Sequence, residues 1–165
     1  MKRQIKLQNG FSLIEMLVVM SIAGILLAVA VPQLYNMKAS YNRLNARSYF
    51  MQDVKRAQAE SITQGCRGIM VIASDAESYS FGCDYLSYDT TTDPTYDKLS
   101  FKRNLPSNIK IASTGPIIFN SRGQAIDIDY IISNLTISFT EYTSGGGYSQ
   151  FSTGTLLGTG VFNFD

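Results

Sequence analysis

Gly10-Phe11-Ser12-Leu13-Ile14-Glu15-Met16-Leu17-Val18-Val19 opens the one long apolar run of the chain, and its reading decides the fold. Residues 11 to 31 carry a single charge, Glu15. A helix of that length rises about 31 Å, enough to cross a hydrocarbon layer about 30 Å thick. Lys2, Arg3 and Lys6 precede the run, and no cation follows until Lys38. That bias puts the N-terminus in the cytoplasm and everything after residue 32 on the far side of the membrane.

Two plain readings compete for this segment. A secretory signal peptide has the same basic start and apolar centre, and Ala28-Val29-Ala30 offers a cleavage triplet. A single-pass anchor needs only the length. Neither uses Glu15, whose carboxylate costs several kcal/mol at membrane depth. The run also continues into a second helical pattern, where a signal peptide would meet a loop.

Composition narrows the chemistry. The 165 residues hold 14 Lys and Arg, 13 Asp and Glu, and no His. Without Lys2, Arg3 and Lys6, 11 cations face those 13 carboxylates, so bulk charge does not advertise a nucleic-acid binder. His-based acid–base catalysis and His zinc sites are excluded. Cys66 and Cys83 are too few for a thiolate metal site; in an exported chain they read as one disulfide, with two buried free thiols as the alternative. No carboxylate pair stands out beyond loop charges and Asp127 and Asp129, so the reading is non-enzymatic, with no cofactor and no metal.

Gly10-Phe11-Ser12-Leu13-Ile14-Glu15, continuing through Met16-Leu17-Val18-Val19 and Val29-Ala30-Val31-Pro32, resembles the processing motif of type IV prepilins and type II secretion pseudopilins. The resemblance implies that a prepilin peptidase cuts after Gly10 and N-methylates the new terminus, Phe11. It implies that residues 1–10 are a leader and 11–32 a retained transmembrane and assembly helix. Other pilins or pseudopilins, and an inner-membrane assembly platform, are the further implied partners. Glu15 then pairs with the terminal amine of a neighbouring Phe11 and sets axial register, since a charge in low dielectric strongly favours a partner. Pro32, at the outer end of the span, removes a helix donor and introduces a kink or local melting.

Residues 33–65 read as an amphipathic continuation of the helix. Leu34, Met37, Tyr41, Leu44, Phe50 or Met51, Val54 and Ala57 recur at helical spacing, and Ile62 closes the run. Lys38, Arg43, Arg47, Asp53, Lys55 and Glu60 fall on the other faces, and Gln64-Gly65 is the stop. The stripe is expected to pack on a sheet, with its membrane-proximal part left for neighbouring subunits. Arg56, Ala57, Ala59, Glu60, Ser61 and Ile62 are similar to the helix end of the GspH/FimT-type minor pilins and pseudopilins.

Residues 66–165 read as a β-rich globular head, which makes the fold α+β and pilin-like: a long N-terminal helix packed on a C-terminal antiparallel β-sheet. Strands are expected at 69–73, 78–85, 98–101, 109–112, 117–119, 125–132, 135–142 and 161–164. Asp84 to Tyr96 reads as a loop, and Ser144-Gly145-Gly146-Gly147 as a hairpin tip. Phe119 and Gly123 fit the "F-x-x-x-G" turn of the same subfamily, with Phe119 in the core and Gly123 at positive φ. Thr153-Gly154 and Gly160-Val161-Phe162 are loosely similar to its terminal Thr-Gly turn and last strand.

These readings converge on a minor type IV pilin that helps initiate or cap a pilus. The alternative is a type II secretion pseudopilin of the H type; a major pilin and a DNA-uptake minor pilin are further alternatives. For the last, Lys98, Phe101, Lys102, Arg103 and Lys110 are the one basic stretch with an interleaved aromatic. No Lys or Arg follows Arg122, whereas family DNA receptors place arginines near the C-terminus. The expected location is the bacterial inner membrane, with an extracytoplasmic head, and then the filament.

Overall fold

The computed structural model describes residues 12–85, 96–129, 131–143 and 145–164. Gly10, Phe11, Tyr130, Ser144 and most of the Asp84–Tyr96 loop lie outside the described residues. One helix, α1, runs Leu13–Gln64, so the two helical segments read from the sequence are a single element. It ends as Gln64-Gly65 dictates. Gly65 takes φ 62, its N–H bonds to the Ile62 carbonyl, and the Cys66 N–H reaches back to the Ser61 carbonyl. This pair of bonds is a Schellman stop. The chain divides into two compact units at Ser40/Tyr41, and the strands belong to the second.

Nine strands follow in chain order: β1 (Arg67–Ile72), β2 (Ser78–Asp84), β3 (Lys98–Asn104), β4 (Ile109–Ser113), β5 (Ile117–Phe119), β6 (Ala125–Ile126), β7 (Leu135–Thr143), β8 (Gly147–Leu156) and β9 (Phe162–Phe164). They form two sheets, ordered β3-β2-β1-β5-β6 and β4-β7-β8-β9. Every pairing is antiparallel.

Three strand expectations change. Residues 125–132 yield only β6, because the Asp127 carboxylate accepts the N–H groups of Asp129 and Ile131 and curls the chain there. The ten-residue β8 was not expected. Its Ser, Thr, Gln and Gly composition carries no apolar alternation, and its partner β7 supplies the buried Leu135, Ile137 and Phe139. Thr153-Gly154 lies inside β8 and is not a turn; a Cβ on Gly154 would sit 2.4 Å from the Phe162 ring, so its role is close packing. The Phe119–Gly123 turn is as read: Phe119 is fully buried, Gly123 has φ 77, and its N–H bonds to the Asn120 carbonyl.

The helix packs on the sheets through Ala46, Phe50, Val54 and Ala57. Phe50 is the hub, with its ring 5.4 Å from each of Tyr79, Phe139 and Phe162 in edge-on contacts. Tyr41, Leu44 and Ile62 are exposed, contrary to the single stripe read from the sequence. Leu44 and Ile62 are five full turns apart and share a face rotated about a third of a turn from the buried one. Asp53, expected among the solvent-facing charges, is buried instead.

Asp53 is satisfied there. Tyr79 of β2 donates to its Oδ2 at 2.8 Å, and Arg103 of β3 makes a two-pronged contact with Nη2 to Oδ1 at 3.0 Å. Arg103 also stacks 4.9 Å from the Tyr49 ring centre, back on the helix. Burial, then the hydrogen bond to Asp53, pushes the Tyr79 hydroxyl well above the ordinary tyrosine range. The Asp53 hydrogen bond likewise raises Arg103. At the end of the helix, Cys66 and Cys83 form the disulfide, with Cα atoms 5.6 Å apart, tying the helix end to β2.

Replacing Asp53 by Ala strands the Tyr79 hydroxyl and unpairs Arg103, and should lower stability by roughly 2–3 kcal/mol in urea titrations of the full chain in detergent. Because the folded Tyr79 is raised, its contribution is fully present below the ordinary tyrosine range and is lost as pH rises beyond it. Stability measured across alkaline pH should therefore fall, and Tyr79→Phe should flatten that fall.

Candidate functional site

The helix start is built by Ser12 and Glu15. Ser12 is the N-cap. Its Oγ accepts the Glu15 N–H at 3.2 Å, and its carbonyl accepts from Glu15 at 3.1 Å and Met16 at 3.3 Å. Ser12-x-x-Glu15 has the spacing of a capping box, which places the carboxylate in the first turn, where the helix dipole favours negative charge. This local role was legible in the sequence as Ser followed three residues later by Glu. It gives even a plain anchor a use for Glu15.

From Leu13 to Val31 the first unit presents large apolar side chains on all sides, among them Leu13, Ile14, Leu17, Val18, Ile25 and Leu26, every one exposed. This part of α1 is long and apolar enough to cross a membrane, and the described residues bury none of it. Ser21 returns its hydroxyl to the Leu17 carbonyl at 2.8 Å, the usual way a hydroxyl is satisfied on an apolar helix. Pro32 sits inside α1 and supplies no N–H to the Ala28 carbonyl. Leu34 and Met37 remain exposed beyond it.

On the second unit, arginines flank the buried helix face. Arg43 pairs with Glu141 of β7 at 2.5 Å and lies 5.8 Å from the Phe151 ring. Arg47 covers Phe164 at 4.3 Å. Arg56 pairs with Glu60 at 2.8 Å and covers Phe101 at 4.5 Å. Arg43 and Arg47 were read only as charges on the other helix faces, and Arg56 only as part of the helix-end resemblance, because their aromatic partners lie far along the chain.

The basic stretch considered for DNA is not assembled into one patch. Phe101 and Arg103 point inward, to Phe81 and to Asp53. Lys98 and Lys102 are exposed on β3. Lys110 belongs to the other sheet, where its Nζ lies 4.7 Å from the Tyr148 ring and 4.0 Å from Glu77. Among the described residues no group of three or more His, Cys, Asp or Glu is placed to hold a metal ion. Asp127 is occupied in its own loop.

Residues 5–31 match the family described as the prokaryotic N-terminal methylation motif, a span that includes Gly10, Phe11 and Glu15. The type IV minor pilin FimU of Pseudomonas aeruginosa is similar in structure: TM-score 0.54 at 11% identity, over 74% of this chain and 87% of that one. The chain has a pilin-like fold, of the kind seen in that minor pilin. FimU in a second crystal form gives 0.53 at 12% identity, over 74% and 91%. The minor pseudopilin EpsH from the Type 2 Secretion System of Vibrio cholerae gives 0.50 at 16%, over 74% and 94%. A pilin-like fold thus combines here with a methylation-motif match that extends into α1.

Replacing Ser12 by Ala removes the cap and should cost the first turn about 1 kcal/mol. Amide exchange at Glu15 and Met16 should quicken by roughly fivefold, with exchange beyond Ser21 unchanged; Ser12→Asp should restore protection.

Proposed function

We propose that this chain is a minor type IV pilin, a structural subunit that enters a filament through its N-terminal helix and helps initiate or cap it. A prepilin peptidase removes residues 1–10 and methylates Phe11. The observation that carries the reading is a conjunction: a methylation motif at residues 5–31, an apolar surface from Leu13 to Val31 left exposed among the described residues, and a head of pilin-like fold. An apolar surface of this extent needs lipid or other helices around it. Lipid meets that need before assembly, and neighbouring subunits meet it afterwards. The exposed Leu34 and Met37, and Tyr41 and Leu44, offer further contacts beyond the membrane.

In this mechanism Glu15 has successive partners. The helix dipole favours the carboxylate at the first turn while the subunit is alone. In the filament it meets the terminal amine of a neighbouring Phe11, and the pair sets how far one subunit is displaced from the next. The second reading, a pseudopilin of the H type in type II secretion, uses the same helix and processing; the likeness to EpsH favours it.

Expressed beside a prepilin peptidase, Gly10→Ala should accumulate as a full-length membrane precursor, seen by its mobility and intact N-terminal mass. Glu15→Ala should be processed and membrane-inserted yet depleted from sheared filaments by roughly tenfold or more. Normal incorporation of Glu15→Ala would defeat the pairing mechanism. Counting pili against secreted protein in a deletion strain separates the two machines.

A further inference from the structure

A groove of about 560 Å³ runs along the second unit between α1 and the last strand, lined by Arg47, Met51 and Lys55 on the helix and by Val161, Phe162 and Phe164 opposite. Strand β9 is the terminal strand of its sheet. The Leu157 N–H bonds to the Val161 carbonyl at 2.8 Å, and the register continues through Thr155↔Asn163 and Gly154↔Phe164. Antiparallel parity then turns the N–H and C=O of Phe162, and the N–H of Phe164, away from β8, to an edge with which no described strand pairs and along which Phe162 is 5% exposed and Phe164 partly exposed. An open edge is a template for another strand.

The groove is also charged in one sense. Arg43, Arg56, Arg67, Arg103 and Lys110 each have a carboxylate partner within the chain. Arg47 and Lys55, on the groove wall, have none among the described residues. Arg47 is held over the Phe164 ring, and Lys55 is exposed. One end of the groove is closed by the turn at Gly160, where a Cβ would lie 2.1 Å from the Gly123 carbonyl oxygen.

We propose that this groove takes an extended acidic segment of another polypeptide, which adds to the open edge of β9 through its backbone and places carboxylates against Arg47 and Lys55. Backbone pairing supplies the fit and the two cations supply the selection. The occupant is a peptide strand rather than a free anion, because the unpaired groups on the β9 wall are a backbone donor–acceptor set at strand spacing. The site lies wholly within Tyr41–Phe164 and does not depend on leader processing or on the apolar helix.

The test uses the full chain in detergent micelles and a fluorescein-labelled probe, the hexapeptide Asp-Val-Asp-Val-Thr-Val, followed by anisotropy. Saturable binding is expected, about tenfold weaker for the same peptide with Lys in place of Asp, and about tenfold weaker for Lys55→Glu. Lys55 makes no packing contact that the fold needs, so this variant should melt like the parent. N-methylation of alternate peptide amides, which leaves every charge in place, should abolish binding. Absence of binding by the acidic peptide, equal binding by the Lys peptide, or undiminished binding by the N-methylated peptide would each overturn the proposal. A normal filament assay with a failed peptide assay would reject the groove alone; the reverse would reject the filament reading alone.

Discussion

A carboxylate with almost no access to water fixes where the helix can sit on the head. Asp53 is 3% exposed and is held from two strands at once, by Tyr79 of β2 and Arg103 of β3. Sliding the helix by one residue along the sheets would break both contacts and leave a buried charge. The apolar contacts around Phe50 tolerate small shifts, since edge-on rings accept a range of offsets. Hydrophobic burial therefore supplies most of the attraction, and the Asp53 cluster supplies the register. The bonds of Arg43 and Gln58 to Glu141 and the Gly123 carbonyl repeat that constraint along the same helix.

Local and periodic features were readable in the chain, and long-range pairings were not. The apolar run, the Gly65 stop and the Gly123 turn each follow from a few neighbouring residues, and each stands where the sequence puts it. Asp53 did not, because between Phe50 and Ala57 a carboxylate reads as an interruption of the apolar face. Only residues 26 and 50 positions away make it a member of that face. The same limit applies to β8: its backbone is recruited by β7, and its side chains carry little strand signal of their own. Tyr41 and Leu44 erred in the opposite sense. Helical spacing groups them with Phe50 only if the apolar stripe is allowed to be very wide, and the head covers just one side of it.

The N-terminal segment shows the same division. Glu15 stood out as the one charge of an apolar run, and Gly10 and Phe11 through the resemblance to prepilins, whereas Ser12 passed unnoticed beside them although Ser-x-x-Glu is itself a readable start signal. The basic stretch near Lys102 illustrates the converse error. Successive side chains of a strand point to opposite faces, so charges that crowd together in the sequence are divided by the fold between solvent and core. Arg103 is spent on Asp53, and Lys110 stands in the other sheet.

The bond between Cys66 and Cys83 also determines how a pull is shared. Tension applied along α1 and leaving the head beyond β2 crosses directly from one sulfur to the other. Residues 67 to 82, which include all of β1 and most of β2, are the loop this link bypasses and carry none of it. The hairpin at the centre of the first sheet is thereby removed from the load path. Such a pull would be borne by elements after residue 83, beginning with β3, whose Arg103 grips the helix from the side.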